Sequence, residues 1–273
     1  MKISISNIAW DVREDIQIST ILNNLGIDSI DIAPSKYFSD INKTSEEEVA
    51  KVREWWLNKG INIVGMQSLL FGTKGLHLFG ENNSVNKLER HLQKICKISS
   101  YLGAKKIVFG SPKNRDRGKL NDDEVIDKSI KFFRSLGEHA SDNGIVVCLE
   151  PNPKRYGANF MTTSKETIEI VRAIDHEAIK MQFDTGSLTI NNESAEIILK
   201  NNADIIGHIH ISEPDLLPIG DGNTNHKLIF NSLVKYLPDA TVTIEMIATT
   251  KENHIDSIER AIRYTSNIYG SNK

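Results

Sequence analysis

The stretch SDNGIVVCLEPN, residues 141–152, joins the end of a helical segment to a short apolar run through Gly144. Glycine just past a helix supplies the left-handed conformation that turns the chain back towards a strand. The same pattern recurs three more times, as NNLGIDSIDIAP (23–34), LNKGINIVGMQ (57–67) and YLGAKKIVFGSP (101–112). This alternation predicts βαβ units around a parallel sheet.

The rest of the chain continues the alternation, with no linker or low-complexity stretch. Thr44 with Glu47, and Thr163 with Glu166, have capping-box spacing and indicate where two helices begin. We therefore predict an α/β protein with one (β/α)8 TIM barrel domain over residues 1–273. An open doubly wound sheet is the alternative, although no G-x-G-x-x-G motif follows a strand. Strands are expected near 2–6, 27–32, 61–66, 105–110, 145–150, 179–184, 205–211 and 241–245, and helices near 14–24, 45–59, 85–101, 122–142, 164–174, 193–200, 226–236 and 252–268.

The composition narrows the classes of function. The chain has 273 residues, is 39% hydrophobic and 25% charged, and carries a net charge of -3. These values are typical of a globular protein with a sizeable core, and no basic excess indicates a nucleic-acid partner. No apolar run is long enough for a membrane helix, and the N-terminus does not read as a signal peptide. Cys96 and Cys148 lack metal-site spacing, so we expect free thiols in a cytoplasmic protein.

Polar residues stand at the ends of four consecutive predicted strands. Strand five ends at Glu150, strand six at Asp184 and strand eight at Glu245, and strand seven carries His210 near its end. Catalytic groups of such barrels lie at the carboxyl ends of the strands, so these four side chains are expected to meet. Three carboxylates and one imidazole suit Mn²⁺ or Mg²⁺, with Co²⁺ also compatible, better than structural zinc. A structural ion-pair network is the competing interpretation.

The segment HIHISEP, residues 208–214, places two histidines on one face of the seventh strand, because side chains alternate along a strand. His210 is then the ligand at the rim. His208 lies one layer deeper, where it is expected to hydrogen-bond a ligand or a substrate hydroxyl. A core histidine with satisfied hydrogen bonds fits equally well.

These motifs, with EPNP (150–153), FDTG (183–186) and IGDGN (219–223), resemble the sugar phosphate isomerase/epimerase superfamily with the xylose isomerase-like barrel. The resemblance covers essentially the whole chain, and the spacing of the motifs is close to that of the D-tagatose and D-psicose 3-epimerases. It implies one divalent metal, usually Mn²⁺ or Co²⁺, bound by the four matching residues. It also implies a carbohydrate substrate and a homo-oligomer, dimer or tetramer. Glu150 and Glu245 become acid/base residues in addition to ligands.

The chemistry of the residues agrees with this resemblance. A proton next to a carbonyl is too weakly acidic for an unaided carboxylate, and a metal that binds the carbonyl and the adjacent hydroxyl would stabilise the enediolate. One glutamate would remove the proton, and a second on the opposite face would return it. Glu150 and Glu245 are separated by two strands and could flank the substrate. A base on only one face of the substrate would instead catalyse an aldose–ketose isomerisation.

Four further residues are expected to contact substrate. Trp10 ends strand one and could stack on a sugar face, with packing as the alternative. Gln67 follows strand three and could bond a hydroxyl. Glu213 matches an acidic residue of the epimerases just beyond the strand-seven histidine, and His208 completes the set.

The resemblance also has departures. Three positions that hold substrate in the epimerases, where they carry Glu, His and Arg, are here Tyr156, Ser187 and Leu216. The metal chemistry therefore transfers better than the substrate. Apurinic endonucleases of the same fold match less well, because they need additional histidines.

Cations on two neighbouring loops raise the question of an anionic substrate. We expect these side chains either to bind a phosphate or carboxylate group of the substrate or to form a solvated loop surface. The residues concerned are Lys113, Arg115, Arg117, Lys154 and Arg155.

Three functions remain open on the sequence. The first is a metal-dependent epimerase or isomerase of a sugar, sugar phosphate or sugar derivative. An inosose-type dehydratase would begin with the same proton abstraction and then lose water. A non-catalytic sugar-binding protein is disfavoured, because binding alone does not need two bases.

Overall fold

Eight parallel strands close into a barrel in the computed structural model, which describes residues 1–270. Each strand pairs with the next along the chain, and the eighth closes on the first. The predicted TIM barrel is confirmed, and the open doubly wound sheet is wrong. The last three residues of the predicted domain lie outside the described residues. The strands are β1 (Lys2–Ser6), β2 (Ser29–Ile32), β3 (Asn62–Met66), β4 (Lys106–Phe109), β5 (Val146–Leu149), β6 (Ile179–Asp184), β7 (Ile206–Ser212) and β8 (Thr241–Glu245).

Helices follow the strands and pack on the outside of the barrel. The connection between β6 and β7 carries two helices, whereas the sequence predicted one near 193–200. The extra helix begins directly after Asp184, whose carboxylate accepts a hydrogen bond from the Ser187 amide at 2.6 Å. The helices are α1 (Asp15–Asn24), α2 (Glu46–Leu57), α3 (Asn82–Leu102), α4 (Asp122–Asp142), α5 (Ser164–Ile174), α6 (Thr185–Asn191), α7 (Ala195–Asn202), α8 (His226–Tyr236) and α9 (His254–Tyr269).

Of the two predicted helix caps, the cap of α5 is confirmed and the cap of α2 is shifted by one residue. The Thr163 hydroxyl accepts from the amide of Glu166, as the spacing predicts. At α2 the cap is Ser45 with Glu48 rather than Thr44 with Glu47. The Thr44 hydroxyl is engaged elsewhere, because it donates to the carbonyl of Asp40 at 2.8 Å.

Amphipathic helices bury their apolar faces against the barrel. On α3, Leu88, Leu92 and Ile95 are fully buried, and Val85 packs at the edge of the same cluster. Burial of a side chain of this size contributes about 1.5–3 kcal/mol each. Cys96 and Cys148 are buried free thiols, and burial raises the pKa of each to about 12.

Two register shifts in the strand pairing change the direction of side chains inside the barrel. The register of β2 on β3 shifts between Ile30 and Asp31, and that of β6 on β7 shifts between Met181 and Gln182. Such shifts change the direction of the residues that follow. Asp31 and Gln182 both reach the layer of side chains that includes His208.

Within residues 1–270, no helix combines the length and hydropathy needed to span a bilayer.

Candidate metal centre

Four side chains from adjacent strands converge at the carboxyl end of the barrel. Glu150 follows β5, Asp184 ends β6, His210 lies on β7 and Glu245 ends β8. One donor atom from each lies within 4.8 Å of all the others. The sequence therefore predicted correctly that these four residues meet.

His210 stands at the centre of the cluster. Its Nδ1 is 3.3 Å from Oε2 of Glu245 and 3.7 Å from Oε1 of Glu150, and the ring is fully buried. Burial opposes protonation of the imidazole, but the neighbouring carboxylates outweigh it and raise the pKa of His210 well above its usual value. The carboxylates around the ring therefore favour a positive charge at this position.

Asp184 is oriented by two hydrogen bonds from the chain. Oδ1 accepts from the Ser187 amide, and Oδ2 accepts from the Ser212 hydroxyl at 2.6 Å. Burial, together with the charges of Glu245 and Glu150, raises the pKa of Asp184 to about 7. Like charges at this separation oppose their joint ionisation, and a cation between them would relieve the repulsion.

Glu150 and Glu245 keep the most exposure of the four, at 15% and 13% of their side chains. The Glu150 Oε2 accepts from the Asn152 amide at 2.9 Å. Burial alone would raise the pKa of Glu150, but contacts with His210 and Asn152 and the charge of Arg115 lower it.

The donor set fits a divalent cation. Three carboxylates offer hard oxygen ligands, and one imidazole offers nitrogen, the combination suited to Mn²⁺ and related ions. Neither ring nitrogen of His210 has a hydrogen-bond partner among the residues described. One bound cation would satisfy one nitrogen of this imidazole together with the three converging carboxylates.

Asp31, on β2, joins this cluster from the opposite side of the barrel and was missed in the sequence. Its Oδ2 lies 2.9 Å from Nε2 of His208 and 3.8 Å from Nε2 of His210. The signal was present, because Asp31 is a lone acid between Ile30 and Ile32 in a predicted strand.

His208 lies directly below His210, as the alternation of the strand predicted. The two rings are 5.0 Å apart and nearly perpendicular. Nδ1 of His208 is 3.1 Å from Oε1 of Gln182, and Nε2 faces Asp31. Both nitrogens thus contact protein groups, which favours the role beneath a ligand over direct contact with substrate.

A cavity of about 230 Å³ opens beside the cluster, on the side of β3 and β4. Glu150 and Glu245 both line it, and so does Gln67, one of the residues expected to bond a hydroxyl. The Gln67 side chain is buried, and neither of its amide atoms has a hydrogen-bond partner within residues 1–270. Phe71, 76% exposed, stands at the same cavity.

Trp10 and Glu213 are held by the protein itself. Trp10 is 1% exposed, donates its indole N–H to Asp15 at 2.7 Å and packs edge-on against Trp56. A sugar would need an open ring face, so this arrangement favours packing over the stacking predicted from sequence.

The Glu213 carboxylate accepts from the backbone amides of Gly220 and Thr224 and lies 3.1 Å from Nε2 of His226. These contacts shape the loop that contains IGDGN. They favour a role in loop structure over the predicted contact with substrate.

The cations of the two neighbouring loops do not form one patch. Arg117 pairs with Asp122, and Arg155 pairs with Asp215. Arg115 is 1% exposed, which was not expected of a loop cation. Lys113 and Lys154 are exposed.

Two of the three departures from the epimerase pattern lie in a contact between loops. The Tyr156 hydroxyl accepts from the Asp215 amide at 2.7 Å, and Leu216 adjoins it with a positive φ of 54°. Ser187 donates its hydroxyl to the Pro151 carbonyl at 3.0 Å. The Tyr156 and Ser187 hydroxyls are therefore bonded to backbone groups of other segments of this protein.

The amino-acid sequence is similar to those of known proteins. The sequence pattern described as "Xylose isomerase-like TIM barrel" matches residues 20–268. A D-psicose 3-epimerase from Agrobacterium fabrum is 22% identical over 205 residues, covering 72% of this chain and 67% of that protein. Matches to several other curated relatives cover only 29% to 44% of the length of those proteins.

Solved structures share the fold along almost the whole chain. D-psicose 3-epimerase with D-tagatose from Clostridium cellulolyticum H10 superposes with a TM-score of 0.81 at 16% identity, over 98% of this chain and 99% of that one. The IOLI protein with a bound zinc atom superposes with a TM-score of 0.77 at 18% identity, over 98% of both chains. The resemblance inferred from the motifs is confirmed, and the chain belongs to the xylose isomerase-like TIM barrel family.

Proposed function

We propose that this protein is a divalent-metal-dependent epimerase or isomerase of a sugar or sugar derivative. The observation that carries the proposal is the placement of Glu150 and Glu245. Both line the cavity, and both belong to the four-residue cluster. A binding protein would not require two partly exposed carboxylates at the same cavity.

The cation would be held by Glu150, Asp184, His210 and Glu245. Its contribution when bound is Lewis-acid stabilisation of the negative charge that develops on an enediolate, worth several kcal/mol. We propose Mn²⁺, with Co²⁺ or Mg²⁺ next, because three of the four donors are carboxylates. The zinc atom of the IOLI structure makes Zn²⁺ the ion to test against these.

The proton transfers fall to the two glutamates. One carboxylate removes the proton next to the carbonyl, and the other returns a proton to the opposite face. The Asn152 amide and the charge of Arg115 favour the ionised form of Glu150 and so suit it to accept the proton first. The amide of Gln67, which lines the same cavity and has no hydrogen-bond partner within residues 1–270, would bond a substrate hydroxyl.

The relatives guide the choice of substrate. The names of the matched proteins include D-psicose 3-epimerase and 3-dehydro-D-guloside 4-epimerase, so free and oxidised sugars are the first class to test. The replaced residues at positions 156, 187 and 216 indicate that this chain binds its sugar through other contacts than the epimerases use. We also propose a cytoplasmic, homo-oligomeric protein, in keeping with two free buried thiols and with the family.

The deciding experiment is solvent-deuterium incorporation. Metal-stripped protein is reloaded with Mn²⁺ and incubated in D₂O with a panel of ketoses, oxidised sugars and their phosphates. We expect deuterium at the carbon next to the carbonyl, with a new epimer or isomer of the same heavy-atom formula. Loss of water from the product would identify a dehydratase instead. No exchange with any sugar, despite bound metal, would leave a binding protein.

A further inference from the structure

A groove lined by basic residues lies beside α3 and shares no residue with the metal centre. It has a volume of about 460 Å³ and lies between α3, the loop that follows β3 and the loop that follows β2. Within residues 1–270, no Asp or Glu side chain lines it. The residues that line this basic groove are Asn42, Thr73, Lys74, Leu76, Lys87, Arg90 and His91.

The three long cations of the basic groove have no counter-ion in the protein. Lys74, Lys87 and Arg90 are exposed, and none of them forms a hydrogen bond or an ion pair within residues 1–270. Arg117 and Arg155, in contrast, each pair with a carboxylate. A cleft lined by charges of one sign attracts ions of the opposite sign and raises their local concentration. The basic groove is therefore a site for an anion.

The sequence of α3 concentrates this positive charge on one face. Lys87 and Arg90 are three residues apart, and Arg90 and Lys94 are four apart, so both pairs are neighbours along the helix. Like charges at these spacings destabilise a helix, and a bound anion would remove the repulsion. Arginine and lysine both bind phosphate oxygens well. Because the whole chain carries a net charge of -3, a small phosphate fits this groove better than a nucleic acid does.

The basic groove and the cavity beside the metal centre share one wall, the loop 68–76. This loop is already attached to α3 at two points. Nε2 of His91 donates to the carbonyl of Leu69 at 2.9 Å, and the hydroxyl of Ser84 donates to the carbonyl of Gly75 at 2.7 Å. The loop presents Leu69, Leu70 and Phe71 to the cavity and Thr73, Lys74 and Leu76 to the basic groove. An anion bound by Lys74 and by the cations of α3 would form a third attachment.

We propose that the basic groove binds a phosphate group, either of a small phosphorylated molecule or as the free ion, and that the bound phosphate holds the loop 68–76 against α3. The same loop lines the cavity, so a sugar that enters the cavity then has less of the loop to order, and its KM falls. Phosphate binding itself depends only on the groove. Its effect on KM rests on the proposed function.

The test is isothermal titration calorimetry of the full-length protein at low ionic strength, with inorganic phosphate and glycerol 3-phosphate as probes and glycerol as the neutral comparison. The double variant Lys87→Met with Arg90→Met should lose phosphate affinity about tenfold or more, because it removes two charged donors. The matched control is Lys128→Met with Lys131→Met, two lysines that line another groove together with Glu89. It should keep the affinity of wild type. Tighter binding of glycerol 3-phosphate would support a phosphorylated molecule as the ligand, and tighter binding of inorganic phosphate would support the free ion.

Titrations with and without Mg²⁺ separate the basic groove from the metal centre. Phosphate binding that requires Mg²⁺ would place the anion at the metal centre and overturn the inference, as would equal losses in the two double variants. Absence of phosphate binding would also overturn it and leave the proposed function standing. Binding that persists without any sugar turnover would support the groove and count against the proposed function.

Hydrogen exchange tests the connection between the basic groove and the cavity. Phosphate should slow amide exchange in residues 69–76 of wild type, and it should have no such effect in Lys87→Met with Arg90→Met. Phosphate that binds without slowing exchange in this loop would overturn the proposed effect on the cavity.

Discussion

Gly110 leaves open the space that the carboxylate of Glu150 occupies. A Cβ at position 110 would overlap Oε2 of Glu150. Gly110 directly follows β4 and Glu150 directly follows β5, so the two meet at the carboxyl end of neighbouring strands. The absence of a side chain on one strand thus fixes where a ligand of the next strand can stand.

Gly110→Ala is expected to displace Glu150 and weaken both Mn²⁺ binding and turnover by tenfold or more, at a stability cost of about 1–3 kcal/mol. Gly137→Ala is the control, because its Cβ would press on His176, a residue outside the metal centre. Thermal unfolding and Mn²⁺ titration of both variants check this. Equal loss of metal affinity in both would show that overpacking alone is responsible.

The metal ligands themselves should be the most sensitive positions. We expect wild type to bind about one Mn²⁺ per chain, and Asp184→Asn and His210→Ala to weaken binding by about 100-fold or more. Asp204→Asn, which changes a surface carboxylate paired with Arg172, is the control. Metal content after dialysis measures the effect. Undiminished binding in both ligand variants would refute the assignment.

The pH dependence follows from the raised pKa of Asp184. Its pKa in the folded protein is about 7, above the usual 3.8. The contribution of this carboxyl group to the free energy of unfolding is present in full below about pH 4 and is lost as pH rises through 7. The raised pKa of His210 acts in the same direction.

Metal-free protein should therefore unfold at a lower temperature at pH 8 than at pH 5.5. Mn²⁺ should raise the unfolding temperature more at pH 8, because the cation competes with protons. Asp184→Asn should flatten the metal-free profile. Differential scanning fluorimetry across this range, with and without Mn²⁺, checks the prediction, and an equal gain at both pH values would contradict it.

Glu150 and Glu245 should each be needed for inversion if the enzyme is an epimerase. Glu150→Gln and Glu245→Gln keep an oxygen for the metal but remove a base, so turnover should fall about 100-fold or more. Each variant should still exchange deuterium with one epimer and not with the other. Glu169→Gln, on the surface of α5, is the control. Identical exchange of both epimers in both variants would favour a one-base isomerase.

Lys113 and Lys154 are the exposed cations of the two loops that remain available to an anionic substrate. Lys113→Met and Lys154→Met should raise KM for sugar phosphates about three- to tenfold and leave KM for neutral sugars unchanged. Lys165→Met, on the exposed side of α5, is the control. Steady-state kinetics with matched neutral and phosphorylated sugars decide the question. Equal effects on both would leave these lysines as surface charges.

The order of the elements, except for α6, and the four-residue cluster could be predicted from the sequence. Helix, glycine and strand recur at a spacing that only a barrel or an open sheet accommodates, and ligand-type residues end four successive strands. Parallel strands bring their carboxyl ends to one rim, so position along the chain was enough to bring Glu150, Asp184, His210 and Glu245 together.

The tertiary structure decided everything that depends on packing across the barrel. Asp31 reaches His208 and His210 because closure brings β2 opposite β7 and because the register of β2 shifts beside Gly65. Trp10 is part of the core and packs against Trp56, and Arg115 is buried although it lies in a loop. Strand periodicity reports which face a residue occupies. It does not report which distant strand or loop that face meets, since this depends on closure, register and the volume of the side chains between them.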